Sequence, residues 1–144
     1  MTNTLLVSID PDVSKSGFAV IVTGATEFYE LTTLPFFEML DRIQQLNLNA
    51  GGVEVYIEAA WLIAKSNWHG GKSMGVAAKI GKAVGANHQV GRLLEEFCIH
   101  YQIPYKLIKP SDSKKDAKYF EQVTKYKLRT NQEMRDAGML IWGR

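Results

Sequence analysis

Hydrophobic and polar positions fall into clear blocks along the chain. Thr4 to Asp10 (TLLVSID) is apolar, suits a strand, and ends on a carboxylate followed by Pro11, which cannot extend a hydrogen-bonded ladder. Gly17 to Thr23 (GFAVIVT) and Glu27 to Thr33 (EFYELTT) predict two more strands joined by Gly24-Ala25-Thr26, a connection short enough for a hairpin. The first three strands therefore read as an antiparallel meander. Leu34, Phe36, Phe37, Leu40, Ile43 and Leu46 then follow helical spacing, and Asn47 to Gly52 breaks it, giving a helix of roughly three turns. Val53 to Glu58 (VEVYIE) alternates as a strand and ends on a second carboxylate. The stretch after it, with Trp68-His69-Gly70-Gly71, reads as a mobile loop.

From Ser73 to about His100 the pattern is helical, with Gly81, Gly85 and Gly91 interspersed. Glycine costs a helix about 1 kcal/mol relative to alanine, so three of them point to close approach by another backbone. Ile103 to Ile108 (IPYKLI) predicts a fifth strand, Ser111 to Val123 a helix with Ser111 as N-cap, and Asn131 to Trp142 a last helix. No linker or repeat divides the series. The expectation is one α/β domain over residues 1–144, with a mixed five-stranded sheet flanked by helices.

Charge changes the picture more than composition does. The formal net charge is only +2, yet residues 1–58 hold two basic against eight acidic residues, and the remainder holds fifteen against seven. Between Ala59 and Leu94 there are five basic residues and no acidic one. That asymmetry fits a chain that meets a polyanion. With 46% hydrophobic residues the chain can build a core and is no disordered tract. The single cysteine, Cys98, sits in an apolar helical pattern and cannot form an intramolecular disulfide. A cytoplasmic setting is expected, as no signal peptide pattern opens the chain and no apolar run approaches the ~20 residues of a membrane span.

The chemistry lies in the carboxylates. A strand-end acid taken singly is most often structural. In a sheet whose first strand is central, however, Asp10 and Glu58 can lie side by side with hard oxygen donors suited to Mg²⁺ or Mn²⁺. The last helix offers Glu133 and Asp136, which share a face at i and i+3. Four converging carboxylates would repel one another, and one or two bound divalent ions would stabilise them.

At these residues the chain resembles the RuvC-like Holliday-junction resolvases of the RNase H-like superfamily. Ile9-Asp10-Pro11, with Gly17 seven residues beyond the acid, is similar to the family's first-strand signature. Ile57-Glu58 with Trp61 three positions on, Lys79-Ile80-Gly81-Lys82-Ala83-Val84-Gly85, and Arg135-Asp136-Ala137 continue the likeness in order. Asp12 departs from it, standing where glycine is usual, and Glu133 stands where aspartate is commoner. The resemblance implies an RNase H-like fold and a Mg²⁺-dependent, structure-selective endonuclease that resolves four-way DNA junctions as a homodimer. It implies two metal ions held by Asp10, Glu58, Glu133 and Asp136, one activating water and one stabilising the leaving 3′ oxygen. It places Lys114 and Lys118 near the scissile phosphate, where positive charge stabilises the transition state.

Lys65, Lys72, Lys79, Lys82, Lys125, Lys127 and Arg129 are expected to meet backbone phosphates without reading sequence. Trp61 and Trp68 are candidates for stacking on bases opened at a junction, against the alternative that one of them is core. His69, His88 and His100 lack metal-ligand spacing and read as surface or helix-packing residues, and Asn131-Gln132 reads as a helix cap. Two rivals stand beside the resolvase: another RNase H-like nuclease acting on flaps or RNA–DNA hybrids, and a non-catalytic nucleic-acid-binding module on the same fold.

Overall fold

A computed structural model of the chain describes residues 4–63, 74–111 and 113–144, with backbone alone at Met74, Val76, Ala77 and Ile80. Leu5–Asp10 forms β1, Ser16–Val22 forms β2, Glu30–Leu34 forms β3, Val53–Glu58 forms β4 and Tyr105–Ile108 forms β5. They make one sheet in the order β3-β2-β1-β4-β5. The β1–β2 and β2–β3 pairs are antiparallel, whereas β4 runs parallel to β1 and β5 parallel to β4. The helices are α1 (Phe36–Asn49), α2 (Met74–His100), α3 (Ala117–Thr124) and α4 (Gln132–Ile141), with a short 3₁₀ turn at Ala60–Leu62.

The period-2 alternation of the central strands sorts the core into two layers. Val7 and Ile9 of β1 and Val53, Val55 and Ile57 of β4 face Met39, Ile43 and Leu46 of α1 and Val90, Leu94 and Cys98 of α2. Leu6 and Tyr56 face the other way, onto Phe120 of α3 and Ala137 and Ile141 of α4. Asp10 and Glu58 continue that second register, so both leave their strands on the α4 side. Packing, not capping, secures α1, whose N-terminus at Pro35 has no side-chain cap. At roughly 1.5–3 kcal/mol per buried apolar side chain, its three buried residues outweigh a cap worth about 1 kcal/mol.

α4 crosses β2 and β1 closely. The Ser8 hydroxyl donates to the Ala137 carbonyl, and a Cβ on Gly17 would run into the Glu133 carbonyl group. Glycine is needed there for the approach of a helix and not for an unusual φ. Gly17→Ala is expected to lift the first turn of α4 and to lose about 1–3 kcal/mol of stability, as overpacking does. Chemical denaturation with an unchanged midpoint would show that α4 does not sit on Gly17.

The structure departs from the sequence expectations at several places. β3 begins at Glu30 and not Glu27, because Phe28 turns into an aromatic group with Phe120 (centroids 5.9 Å apart), Tyr126 and Trp142 (5.1 Å). Leu34 ends β3, α1 runs on to Asn49, and Phe37 is 77% exposed despite its place in the helical pattern. Ile103 and Pro104 precede β5: the Ile103 N–H donates to the Cys98 carbonyl, closing α2, and its side chain is buried. Ser111 does not cap a helix. α3 starts six residues later at Ala117, where the Asp116 carboxylate accepts the Tyr119 N–H at 2.8 Å. Before it, the chain is tied to α4 at Lys115, whose carbonyl accepts from Arg135 Nε (2.9 Å).

Gly81 and Gly85 are exposed with nothing within contact of a built Cβ, whereas Gly91 is the close-packing glycine of α2. The expected loop around Trp68 lies outside the described residues.

Candidate metal centre and flanking grooves

Asp10 and Glu58 occupy the C-terminal ends of adjacent parallel strands, where Ile9 pairs with Ile57 and Glu58 pairs with Ile108 of β5. Asp136 arrives from α4, one residue before Ala137 on the sheet-facing stripe. Ligand oxygens of Asp10, Glu58 and Asp136 all lie within 4.8 Å of one another. Among the described residues this is the one such carboxylate group. Glu133, in the first turn of α4, lies outside that trio, yet its charge reaches Asp10. Burial pushes the Asp10 carboxyl up to about 8, with the carboxylates of Glu58, Asp136 and Glu133 adding to the rise and Lys114 partly offsetting it. Asp12 turns to its own loop: its carboxylate accepts from the Ser14 N–H at 2.8 Å.

Asp136 is fixed through both oxygens. Lys114 Nζ donates to Oδ2 at 2.7 Å and Gln132 Nε2 to Oδ1 at 2.7 Å. Partial burial would lower the Lys114 ammonium pKa. The hydrogen bond to Asp136 and the charges of Asp136, Glu58 and Asp10 outweigh that and hold it above the ordinary lysine value. Asn131 caps α4 by accepting the Met134 N–H at 2.9 Å, but Gln132 is no cap. Its role was missed in the sequence, although the i, i+4 spacing from Gln132 to Asp136 carries the signal. Arg135 was also missed as a clamp: it donates to the Lys115 and Thr130 carbonyls and to Gln132 Oε1.

Two grooves flank Glu58. One, of about 340 Å³, lies between Asp10, Pro11, Trp61 and the α2 residues Val84, Asn87 and His88. Asn87 Oδ1 accepts the Val13 N–H at 2.8 Å and ties the loop after β1 to α2. Trp61 is half-buried, with its six-membered ring against Gly91, and packs on the core as well as lining the groove. The other groove, of about 270 Å³, runs from Glu58 and Asp136 past Lys109, Lys114, Lys115 and Arg144.

The remaining candidates are scattered. Lys118 is exposed on α3 and lines neither groove. Lys79 and Lys82 are exposed on α2, Lys125 at the left-handed C-cap of α3 (φ 62°), and Lys127 and Arg129 between α3 and α4. Lys65, Trp68 and Lys72 lie outside the described residues, as does His69.

No protein-family model and no curated protein matches the sequence. Among solved structures, the chain is similar to RuvC of Thermus thermophilus in complex with a Holliday junction substrate. The TM-score is 0.53 at 13% identity, over 93% of this chain and 87% of that one. A second T. thermophilus RuvC structure gives a TM-score of 0.53 at 12% identity, over 93% of this chain and 89% of that one. The mixed sheet and its flanking helices are therefore an RNase H-like α/β fold of the RuvC type. Among the described residues no helix is long and apolar enough to cross a membrane.

Proposed function

We propose that the chain is a single RuvC-like nuclease domain, a divalent-metal-dependent endonuclease that resolves four-way DNA junctions. The observation that carries this reading is the meeting of Asp10, Glu58 and Asp136 within 4.8 Å at the ends of the central parallel strands. Three hard oxygen donors, among them the Asp10 carboxyl that burial and then its neighbours' charges push up, fit a site completed by Mg²⁺ or Mn²⁺. Bound there, one or two such ions would supply Lewis-acid stabilisation of phosphodiester charge and a water of lowered pKa.

The chain's own residues do the positioning. Asp10 and Glu58 are set by the sheet register, Asp136 is pinned by Lys114 and Gln132, and Glu133 adds negative potential and a fourth carboxylate for binding through water. Lys114 brings positive charge to the edge where a scissile phosphate would sit. A two-fold junction requires two related sites to cut opposed strands, which supports a C₂ homodimer. The structural likeness to T. thermophilus RuvC in complex with a Holliday junction substrate supports the same substrate class here.

The test is a panel of four-way junction, flap, RNA–DNA hybrid and plain duplex with Mg²⁺. Symmetric paired nicks in the junction, with little cutting of the others, are expected, and Ca²⁺ should permit binding without efficient cutting. Preferential cutting of flap or hybrid would reassign the substrate, and no cutting of any would leave a binding module.

A further inference from the structure

The groove beyond Glu58 and Asp136 has four cations among its described lining residues, Lys109, Lys114, Lys115 and Arg144, beside the acids Glu58 and Asp136. The opposite groove has no lysine or arginine among its described lining residues. Lys114 is accounted for by Asp136. The other three form no ion pair among the described residues, and both oxygens of Asp136 are already taken by Lys114 and Gln132.

Two of these cations are nevertheless held in place. Lys115 Nζ donates to Ser113 Oγ at 3.1 Å and stands 4.9 Å from the centroid of the Tyr119 ring. Arg144 Nε donates to the Leu140 carbonyl at 2.7 Å, and its guanidinium lies 5.0 Å over the Tyr56 ring. The terminal N–H groups of Arg144 have no hydrogen-bond partner among the described residues. A ring beneath each cation limits its motion without neutralising it, which lowers the ordering cost of binding an anion. A planar guanidinium with open terminal N–H groups suits bidentate binding of phosphate oxygens.

We propose that Lys115 and Arg144, with Lys109 beside them, bind the backbone phosphate that lies next along the cleaved strand from the one at the carboxylate centre. This inference rests on the nuclease reading for the identity of the anion. The described cations line the groove beyond Asp136, which places this contact on that flank of the scissile phosphate.

The experiment compares the native chain with the double variant Lys115→Gln, Arg144→Gln on a four-way junction. In Ca²⁺, the slope of log affinity against log salt should fall by about two, one for each lost phosphate-directed cation. In Mg²⁺, single neutral methylphosphonate linkages are placed in turn on each side of the cut. In the native chain, one linkage on one flank should slow cutting about tenfold, the scale of losing a charged hydrogen bond. The double variant should be indifferent to that linkage, and Arg144→Lys in the Lys115 background should restore the charge-dependent slope. Cutting by the native chain with slope and methylphosphonate profile unchanged in the double variant would overturn the groove and leave the nuclease standing. A reduced slope with no cutting by the native chain would support the groove and overturn the nuclease.

Discussion

Asp10→Asn is expected to lower junction cleavage at least about a thousandfold, the loss of roughly 4 kcal/mol of transition-state stabilisation, while junction affinity stays within about threefold. The two effects separate for a physical reason. In the proposed nuclease, affinity would come from phosphate contacts spread over the basic surface, which the substitution leaves in place. Asparagine keeps the size of the side chain but offers one neutral oxygen where a carboxylate offers two charged ones, and so weakens the hold on a divalent cation. Glu58→Gln should behave alike, as its carboxylate comes from the neighbouring strand into the same 4.8 Å group. Single-turnover cleavage and Ca²⁺-supported binding, measured on the same junction, separate the two quantities. Near-native cutting by either variant would remove the metal assignment, and an equal loss of binding would mean that the residues act through the fold.

That pair was legible in the sequence because strand periodicity is local. A six-residue run with alternate apolar positions fixes which face its last residue takes, and β1 and β4 both end on an acid in the α4-facing register. Asp136 was legible through its helix, and the antiparallel meander through its short connection. What escaped depends on partners distant in sequence. Ser111 has the chemistry of a cap, but the Lys115 carbonyl is claimed by Arg135, twenty residues on, and the helix can begin only at Asp116. Phe28 sits in a strand-like run, yet stacking with Phe120 and Trp142 draws it out of the ladder. Trp61 stood open between base stacking and core, and only the fold shows that Gly91 receives its ring. Gln132 reads as part of a helix start until Asp136 is seen to need a second donor. In each case the local preference is worth about a kilocalorie and is outweighed by packing or by a hydrogen bond that satisfies a half-buried polar group.

The same crowding of acids that marks the site should make the metal-free fold weaken as pH rises. Asp10 binds its proton far more tightly in the folded chain, near 8, than at its ordinary value of 3.8. Its contribution to stability is therefore fully present below about pH 4 and is lost as pH climbs through 8, at up to about 1.4 kcal/mol per pH unit. Lys114 does not cancel this trend, since its raised pKa changes stability only above the ordinary lysine range. Thermal melts in EDTA should thus show the native chain losing melting temperature between pH 5 and pH 8.5. Asp10→Asn, which has no proton to give up, should melt roughly 5–10 °C higher than the native chain at pH 8. Divalent ions bind the deprotonated carboxylates, so Mg²⁺ or Mn²⁺ should stabilise the native chain most at the alkaline end and the asparagine variant far less. A native melting temperature that is flat or rising across this window, with the asparagine variant no more stable at pH 8, would show that Asp10 is not held against its neighbours' charge.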